Sequence, residues 1–364
     1  MWVGLILGLF FVAISLSGSI LVYDDKLAEL FAPVPKARVA GQRLPLATLI
    51  SAATAAVEPD EGGQIKVVLP VELGDAAVVG LMGKGHEGAT PQQPGVSLQV
   101  YVDPSSGQVL GIRRAGLLPV FSWLHQFHGS LKLGREFGRP LVGWLGVGMV
   151  LLGMTGLILW WPKRGQWKYA FLVRRTATGL RFHRELHGAA GIWIFAAFMA
   201  VSFSGVAITF PQTIRSMLAL VVEGPAPAFN LREGPKVEPV ENAKRLGPDH
   251  VALIAQKAHP DMTLLSVTVP SHYTQALSAA MASRFGTTAT LYINPYTGAM
   301  MAVRDPANYG GVESFMALQR PMHDGQGSLG PMWEFLVFLS GLAPLLFVIT
   351  GTTMWLKKRK LRIQ

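Results

Sequence analysis

"LHQFHGSLKLGREFGRPLVGWLGVGMVLLGMTGLILWWPKR", Leu124 to Arg164, decides how the rest of the chain is read. Two histidines, His125 and His128, stand three residues apart. An apolar run without a charged residue follows, from Leu141 to Trp161, and the basic pair Lys163-Arg164 closes it. A spanning helix needs about 20 such residues, so the run is a membrane helix led in by imidazoles. Three further stretches have the same character: Trp2 to Val22, Gly188 to Phe210 and Trp333 to Leu356. Pro344 lies inside the last, where a kink is tolerated. Trp2 to Val22 has no basic n-region and no clear small-residue cleavage site before Tyr23, so it reads as a retained helix, not a signal peptide. Half of the 364 residues are hydrophobic and 15% are charged, a balance that points to the membrane class.

The positive charge is concentrated. Lys163, Arg164, Lys168, Arg174, Arg175, Arg181 and Arg184 face one acid, Glu185, and the tail adds Lys357, Lys358, Arg359, Lys360 and Arg362. Twelve basic residues against one acid exceed the whole chain's net charge of +10, so the remainder is close to neutral. Basic patches at helix ends follow the positive-inside rule and give no sign of nucleic acid. They place both termini and the loop 163–187 in the cytoplasm of a bacterium, with the chain multiply crossing its inner membrane. The expected order is helix 1–22, outside module 23–138, helix 139–162, basic loop 163–187, helix 188–210, outside module 211–331, helix 332–356 and basic tail 357–364.

The chain repeats itself. Each apolar helix carries a hydroxyl–glycine pair near one end: Ser17-Gly18, Thr155-Gly156, Ser204-Gly205 and Thr350-Gly351. The outside segments share "VYVDPSSGQVLGI" and "LYINPYTGAMMAV", each a strand, an [Asp/Asn]-Pro-x-[Ser/Thr]-Gly turn and a second strand. A helix-like stretch precedes each, Leu44 to Val57 and Asp249 to Pro260. The fold class is therefore a mainly α membrane protein of two helix–module–helix repeats, with two α+β modules outside. A same-direction duplication relates its halves by a pseudo-two-fold axis along the membrane normal.

The repeat pairs the histidines. His128 precedes Gly156 by 28 residues and His323 precedes Gly351 by 28, which puts both at the outer ends of helices two and four. His187 precedes Gly205 by 18 residues, and its counterpart would fall one position before Met1. Two imidazoles from facing helices are the usual means of holding a haem within a bundle. His128 and His323 would hold one near the outer leaflet, and His187 one near the inner. His125 and His183 lie on the same helix faces, as alternative ligands, supporting neighbours or interfacial residues. His86, His250, His259 and His272 read as ordinary polar residues of the outside modules. A zinc or copper site at His125, His128 and His323 ranks lower, since only Asp324 lies near in sequence. Gly143, Gly146, Gly153 and Gly156 would let a macrocycle approach the backbone, or serve plain helix packing. The tryptophans read as an aromatic belt. Without cysteine there is no covalent haem attachment. No P-loop or zinc-protease motif occurs, and the basic loop is too short for a flavin or nicotinamide domain.

At these residues the chain resembles the PepSY-associated transmembrane family, over nearly its whole length. "WLHQFHGSLKLGREFGRPLVGWLG…MTGLILWWPKR", "LHGAAGIWIFAAFMAVSFSGV" and "MHDGQGSLG…FLVFLSGLAPLLFVITGTTMWLKKR" are similar to the family's second, third and fourth helices. The outside modules look like PepSY domains. The resemblance implies a haem b protein, with one or two haems, that reduces periplasmic ferric-siderophore. The implied ligands are His128 and His323 on the outer haem and His187 on the inner one. The family's first helix usually opens with a Leu-His-x-Trp-like motif, and here Met1-Trp2 occupies its x-Trp part. The donor is a cytoplasmic reductase or a quinol. Arg320 and Arg135 flank the outer face, to attract an anionic chelate or to anchor headgroups. The alternatives are a non-redox scaffold regulating a peptidase or an iron transporter, and a haem b subunit for another periplasmic acceptor.

Overall fold

The computed structural model describes the chain except residues 1, 38–40, 58–62, 73, 83–96, 115–118, 223–233, 241–242, 284–287, 326–329 and 364. His86 therefore lies outside the described residues. The helices are α1 (Trp2–Leu21), α2 (Asp24–Phe31), α3 (Leu46–Ala55), α4 (Pro119–Ser130), α5 (Arg139–Trp160), α6 (Trp167–Ala170), α7 (Gly179–Thr209), α8 (Pro211–Leu218), α9 (Pro248–Ala258), α10 (Gly311–Asp324) and α11 (Gly330–Ile363). The strands are β1 (Gln64–Val68), β2 (Ala77–Met82), β3 (Ser97–Val102), β4 (Val109–Arg114), β5 (Thr263–Val269), β6 (Leu277–Ala282), β7 (Thr288–Ile293) and β8 (Met300–Arg304).

Two units divide the chain. The helical one comprises Met1–Ala28, Leu117–Glu223 and Gly311–Gln364; the other comprises Glu29–Gly116 and Gly224–Gly310. In the helical unit, three helices are long and apolar enough to cross a membrane: Gly134–Trp160, Gly179–Thr209 and Gly330–Leu361. The pair Ile6–Leu21 and Asp24–Phe31 gives a fourth candidate, bent by 57° at the break.

Three expectations are corrected here. Helix three starts at Gly179, so the last nine residues of the expected loop 163–187 are helical; its charges hide a helix that continues past the apolar run. Helix four continues through the expected basic tail to Ile363, with Pro344 inside it. His128 and His323 stand on separate short helices, α4 and α10, and not on the ends of the spans. The cause is local: Leu131 and Lys132 take left-handed φ of 50° and 60° and Gly134 takes 80°, which ends α4 before the span begins, and Gly325 takes 77° directly after α10.

The second unit is one antiparallel sheet in the order β4-β3-β2-β1-β5-β6-β7-β8. One module per outside segment was expected; instead the two sets of four strands join edge to edge through β1 and β5, pairing Val67 with Val267. The join removes two apolar edges that would otherwise invite aggregation. The register matches on either side of it, with Val67↔Val79↔Val100 answering Val267↔Ala279↔Leu291. α3 and α9 bury Leu46, Leu49, Ala53, Val251 and Ala255 against this row. Asp249 accepts from the Leu46 and Ala47 amides at 2.6 and 3.0 Å and so caps α3 from α9. The repeated turns form as their residues dictate. Asp103 Oδ1 accepts from the Ser105 and Ser106 amides, Asn294 Oδ1 from those of Tyr296 and Thr297, and Gly107 and Gly298 supply φ of 74° and 73°.

Candidate functional site

The site is built from two equivalent contacts in the helical unit. α4 packs on α1, and the Cε1 corner of its His128 ring approaches Gly18 closely. A Cβ added at Gly18 would stand 2.8 Å from His128 Cε1. α10 packs on α7 in the same way, and a Cβ at Gly205 would stand 2.9 Å from His323 Cε1. Each ring is then fixed by the same hydrogen bonds. His128 Nδ1 is 2.9 Å from the Ile14 carbonyl and 3.3 Å from Ser17 Oγ. His323 Nδ1 is 2.9 Å from the Val201 carbonyl and 3.3 Å from Ser204 Oγ. Ser17 and Ser204 are buried and donate to those same carbonyls.

This geometry fixes the tautomer. A carbonyl oxygen only accepts, so Nδ1 must carry the proton and Nε2 the lone pair. Both histidines are therefore prepared as Nε2 ligands, each oriented from behind by a main-chain oxygen. Their ring centroids are 5.8 Å apart and their planes are inclined by 42°.

Both rings line a cavity of about 530 Å³ between α1, α5, α7 and α11. That volume lies in the range of roughly 300–1,000 Å³ common to cofactor sites. Leu145, Met149, Phe198 and Val201 make its apolar wall, and Asp24, Asp25, His125, Arg139, Arg320 and Asp324 line one end.

At the opposite end of α7, His187 Nδ1 is 2.8 Å from Thr350 Oγ1, and its ring is 4.9 Å from that of Phe347. Thr350 Oγ1 is 2.7 Å from the Leu346 carbonyl, which takes its proton. The hydroxyl thus accepts from Nδ1, and His187 Nε2 is likewise left with the lone pair. Eighteen residues separate His187 from Gly205, or about 27 Å of helix. Among the described residues, no second imidazole is in ring contact with His187. Thr155, the repeat counterpart of Thr350, is exposed and bonds only the Leu151 and Leu152 carbonyls.

The remaining expected residues fall into place around these. His125 is half-exposed, with Nδ1 3.3 Å from the Phe121 carbonyl and 3.6 Å from Asp24 Oδ2. It lines the cavity apart from the paired rings. His183 lies one turn before His187, edge-on to Phe182. Arg320 lines the cavity and donates to Asp324, whereas Arg135 is exposed on a short π-helical segment, Gly134–Gly138, and does not line it. No three His, Asp or Glu side chains cluster as metal ligands among the described residues, so the zinc or copper arrangement of His125, His128 and His323 is not assembled. Gly143 and Gly153 face Phe210, Thr209 and Met199, which assigns them to helix packing; Gly156 faces open space. Trp160 and Trp193 donate to the Ala170 and Phe171 carbonyls and so fasten the basic loop to the helices.

Four residues of the site stand in the sequence only as markers of the repeat and not as contacts of the histidines: Ser17, Gly18, Ser204 and Gly205. Their signal was present as the repeated hydroxyl–glycine pair, whose partner could not be named without the fold. Asp24 and Arg139 carried no signal.

No curated protein matches this chain. The family model described as the PepSY-associated TM region matches residues 1–358. A match over that length includes both histidine helices, all the apolar helices and the whole sheet. The chain belongs to the PepSY-associated TM family.

Proposed function

We propose that this protein is a haem b electron-transfer protein of a bacterial inner membrane that reduces periplasmic ferric-siderophore. One observation carries the reading: two part-buried imidazoles, on equivalent helices, each have Nδ1 tied to a helix carbonyl and Nε2 left to ligate. The spacing fits the group. An iron held by the Nε2 atoms of both rings, at about 2 Å from each, would need ring centres about 6 Å apart. The observed 5.8 Å is close to this. The apolar wall suits a macrocycle face, and the polar end suits its carboxylates.

A bound haem would supply a one-electron carrier of tunable potential. His128 and His323 would hold the iron, while Ile14, Ser17, Val201 and Ser204 keep the rings in one tautomer. Leu145, Met149 and Phe198 would cover the macrocycle with apolar surface. His187, seated on Thr350, would be the ligand near the other end of the span. The net reaction takes one electron from a cytoplasmic reductase or a membrane quinol and gives it to Fe(III) in its chelate. Fe(II) binds hard oxygen ligands less tightly and is released. The basic loop and the C-terminus lie in the cytoplasm, following their charge. The sheet is two fused PepSY-like modules, one from each repeat, on the periplasmic side.

Haem content tests the reading. Purified protein should carry haem b by pyridine haemochromogen, with a low-spin reduced-minus-oxidised spectrum. His128→Ala and His323→Ala should each abolish the same component. Haem-free wild type, or haem unaffected by both substitutions, would remove the redox reading and leave a membrane scaffold.

A further inference from the structure

The repeat is broken at the polar end of the cavity. Eleven residues after His128 stands Arg139, but eleven after His323 stands Glu334. Three residues before His128 stands His125, but three before His323 stands Arg320. The two halves agree in the residues that hold the rings and differ in the charges around them. Those differences have a direction. Arg139, the first residue of α5, donates to the Ile208 carbonyl near the end of α7 at 2.9 Å. Arg320 stands on α10, which packs on α7. Beside α1, in contrast, Asp24 caps the Asp25 amide and faces His125, and Glu334 is held by Lys26 at 2.6 Å. The end of the cavity is thus cationic on the α7 side, where among the described residues Asp324 is the one carboxylate lining it and is bonded by Arg320 Nε at 3.0 Å.

We propose that Arg139 and Arg320 receive the two propionate carboxylates of a haem held between His128 and His323, an inference that rests on the haem reading above. Both guanidiniums line the same cavity as the paired rings. Haem carries its two carboxylates on one edge, and that edge must leave the apolar wall of Leu145, Met149 and Phe198 for the polar end. Guanidinium is the side chain best shaped for carboxylate, with two parallel N–H donors. Arg320 is largely exposed, and its Nε is bonded to its i,i+4 carboxylate, Asp324. Asp24 and Asp25 repel the propionates from the α1 side and so favour the same placement. Arg139 and Arg320 act here as binding and positioning residues of the haem.

The test uses full-length protein made in haem-starved cells, purified in detergent and loaded either with haemin or with haemin dimethyl ester, whose propionates are blocked. Release to excess apomyoglobin is followed for wild type, Arg139→Gln and Arg320→Gln. Each substitution should speed haemin release about tenfold, the scale of one charge-assisted hydrogen bond, and leave ester release unchanged. Arg139→Lys should recover part of the loss. Equal acceleration of haemin and ester would show that the arginines act only through Ile208 and Asp324, and would overturn the assignment. No acceleration of either would overturn it while leaving the haem reading intact. A wild type that takes up neither cofactor removes that reading first, and this inference with it.

Discussion

Gly18→Ala separates the fit of the site from the stability of the fold. The new Cβ would lie 2.8 Å from His128 Cε1, inside the roughly 3.5–4.0 Å of carbon–carbon contact. The ring must retreat by about 0.7 Å or more to reach that contact. His128 Nδ1 then leaves the Ile14 carbonyl, now at 2.9 Å, for a distance near the about 3.2 Å limit of N–H···O bonding. Losing the group that orients a ligand typically costs about 10–100-fold in metal affinity. Meanwhile alanine improves α1 by roughly 0.5–1 kcal/mol, because glycine is the poorer helix former. The expected outcome is a protein that melts no lower than wild type in its haem-free form but retains at least tenfold less haem. Haem titration, the low-spin absorption spectrum and thermal unfolding of the haem-free form measure the three parts. Gly156→Ala is the matched control: the same hydroxyl–glycine pair on α5, where an added Cβ meets nothing within 4 Å. It should leave haem binding unchanged. Full haem retention with an unaltered spectrum in Gly18→Ala would refute the claim that His128 is held against α1 as a ligand.

Other expectations follow from the same contacts. Gly205→Ala should repeat the Gly18→Ala phenotype through His323, and the double variant should be no worse than additive in haem titration. Thr350→Val removes the oxygen that holds His187 Nδ1; if His187 ligates a second haem, spectral redox titration should show that component weakened and the His128–His323 component untouched. Asp249→Ala uncaps α3 and should destabilise the sheet unit by about 1 kcal/mol in denaturant unfolding, with no effect on haem content.

Hydropathy and charge are local, so the apolar runs, the basic loop and the repeated Pro-Gly turns were legible at the level of single segments. The turn at Asp103 formed from its own side chain and its own glycine, and needed no tertiary partner. What the sequence did not carry was direction. The step from Ser130 to Arg139 reads as an unbroken approach to a helix, yet left-handed Leu131 and Lys132 interrupt it. Neither residue is one that favours that conformation, so nothing in their identity announces the break. The break frees α4 to pack on α1, where His128 meets Gly18. Spacing alone measured His128 against Gly156, whereas the ring sits on Gly18, more than a hundred residues earlier. The edge-to-edge joining of β1 and β5 was invisible for the same reason, since a strand does not name its neighbour.

The meaning of the hydroxyl–glycine pair emerges once that neighbour is known. In a helix the side chain at position i leans back over the preceding turn and shields the carbonyl there. At Gly18 there is no such shield, and the Ile14 carbonyl, whose helical partner is the Gly18 amide, lies open on its second lone pair. Ser17 adds its hydroxyl to the same oxygen, and His128 takes the remaining approach. Val201, Ser204, Gly205 and His323 repeat this set atom for atom. Near the other end of the span the pair is Thr350-Gly351, and the donor chosen changes: His187 meets the threonine oxygen itself rather than a carbonyl. Threonine adds a methyl to the same Cβ–O reach as serine, and here Gly351 faces open space instead of an imidazole. Serine with glycine thus accompanies a main-chain seat for a ring, and threonine a side-chain one. Exchanging Ser17 or Ser204 for Thr should push the ring outward, so the His128–His323 component should lose haem in that variant although a hydroxyl is kept.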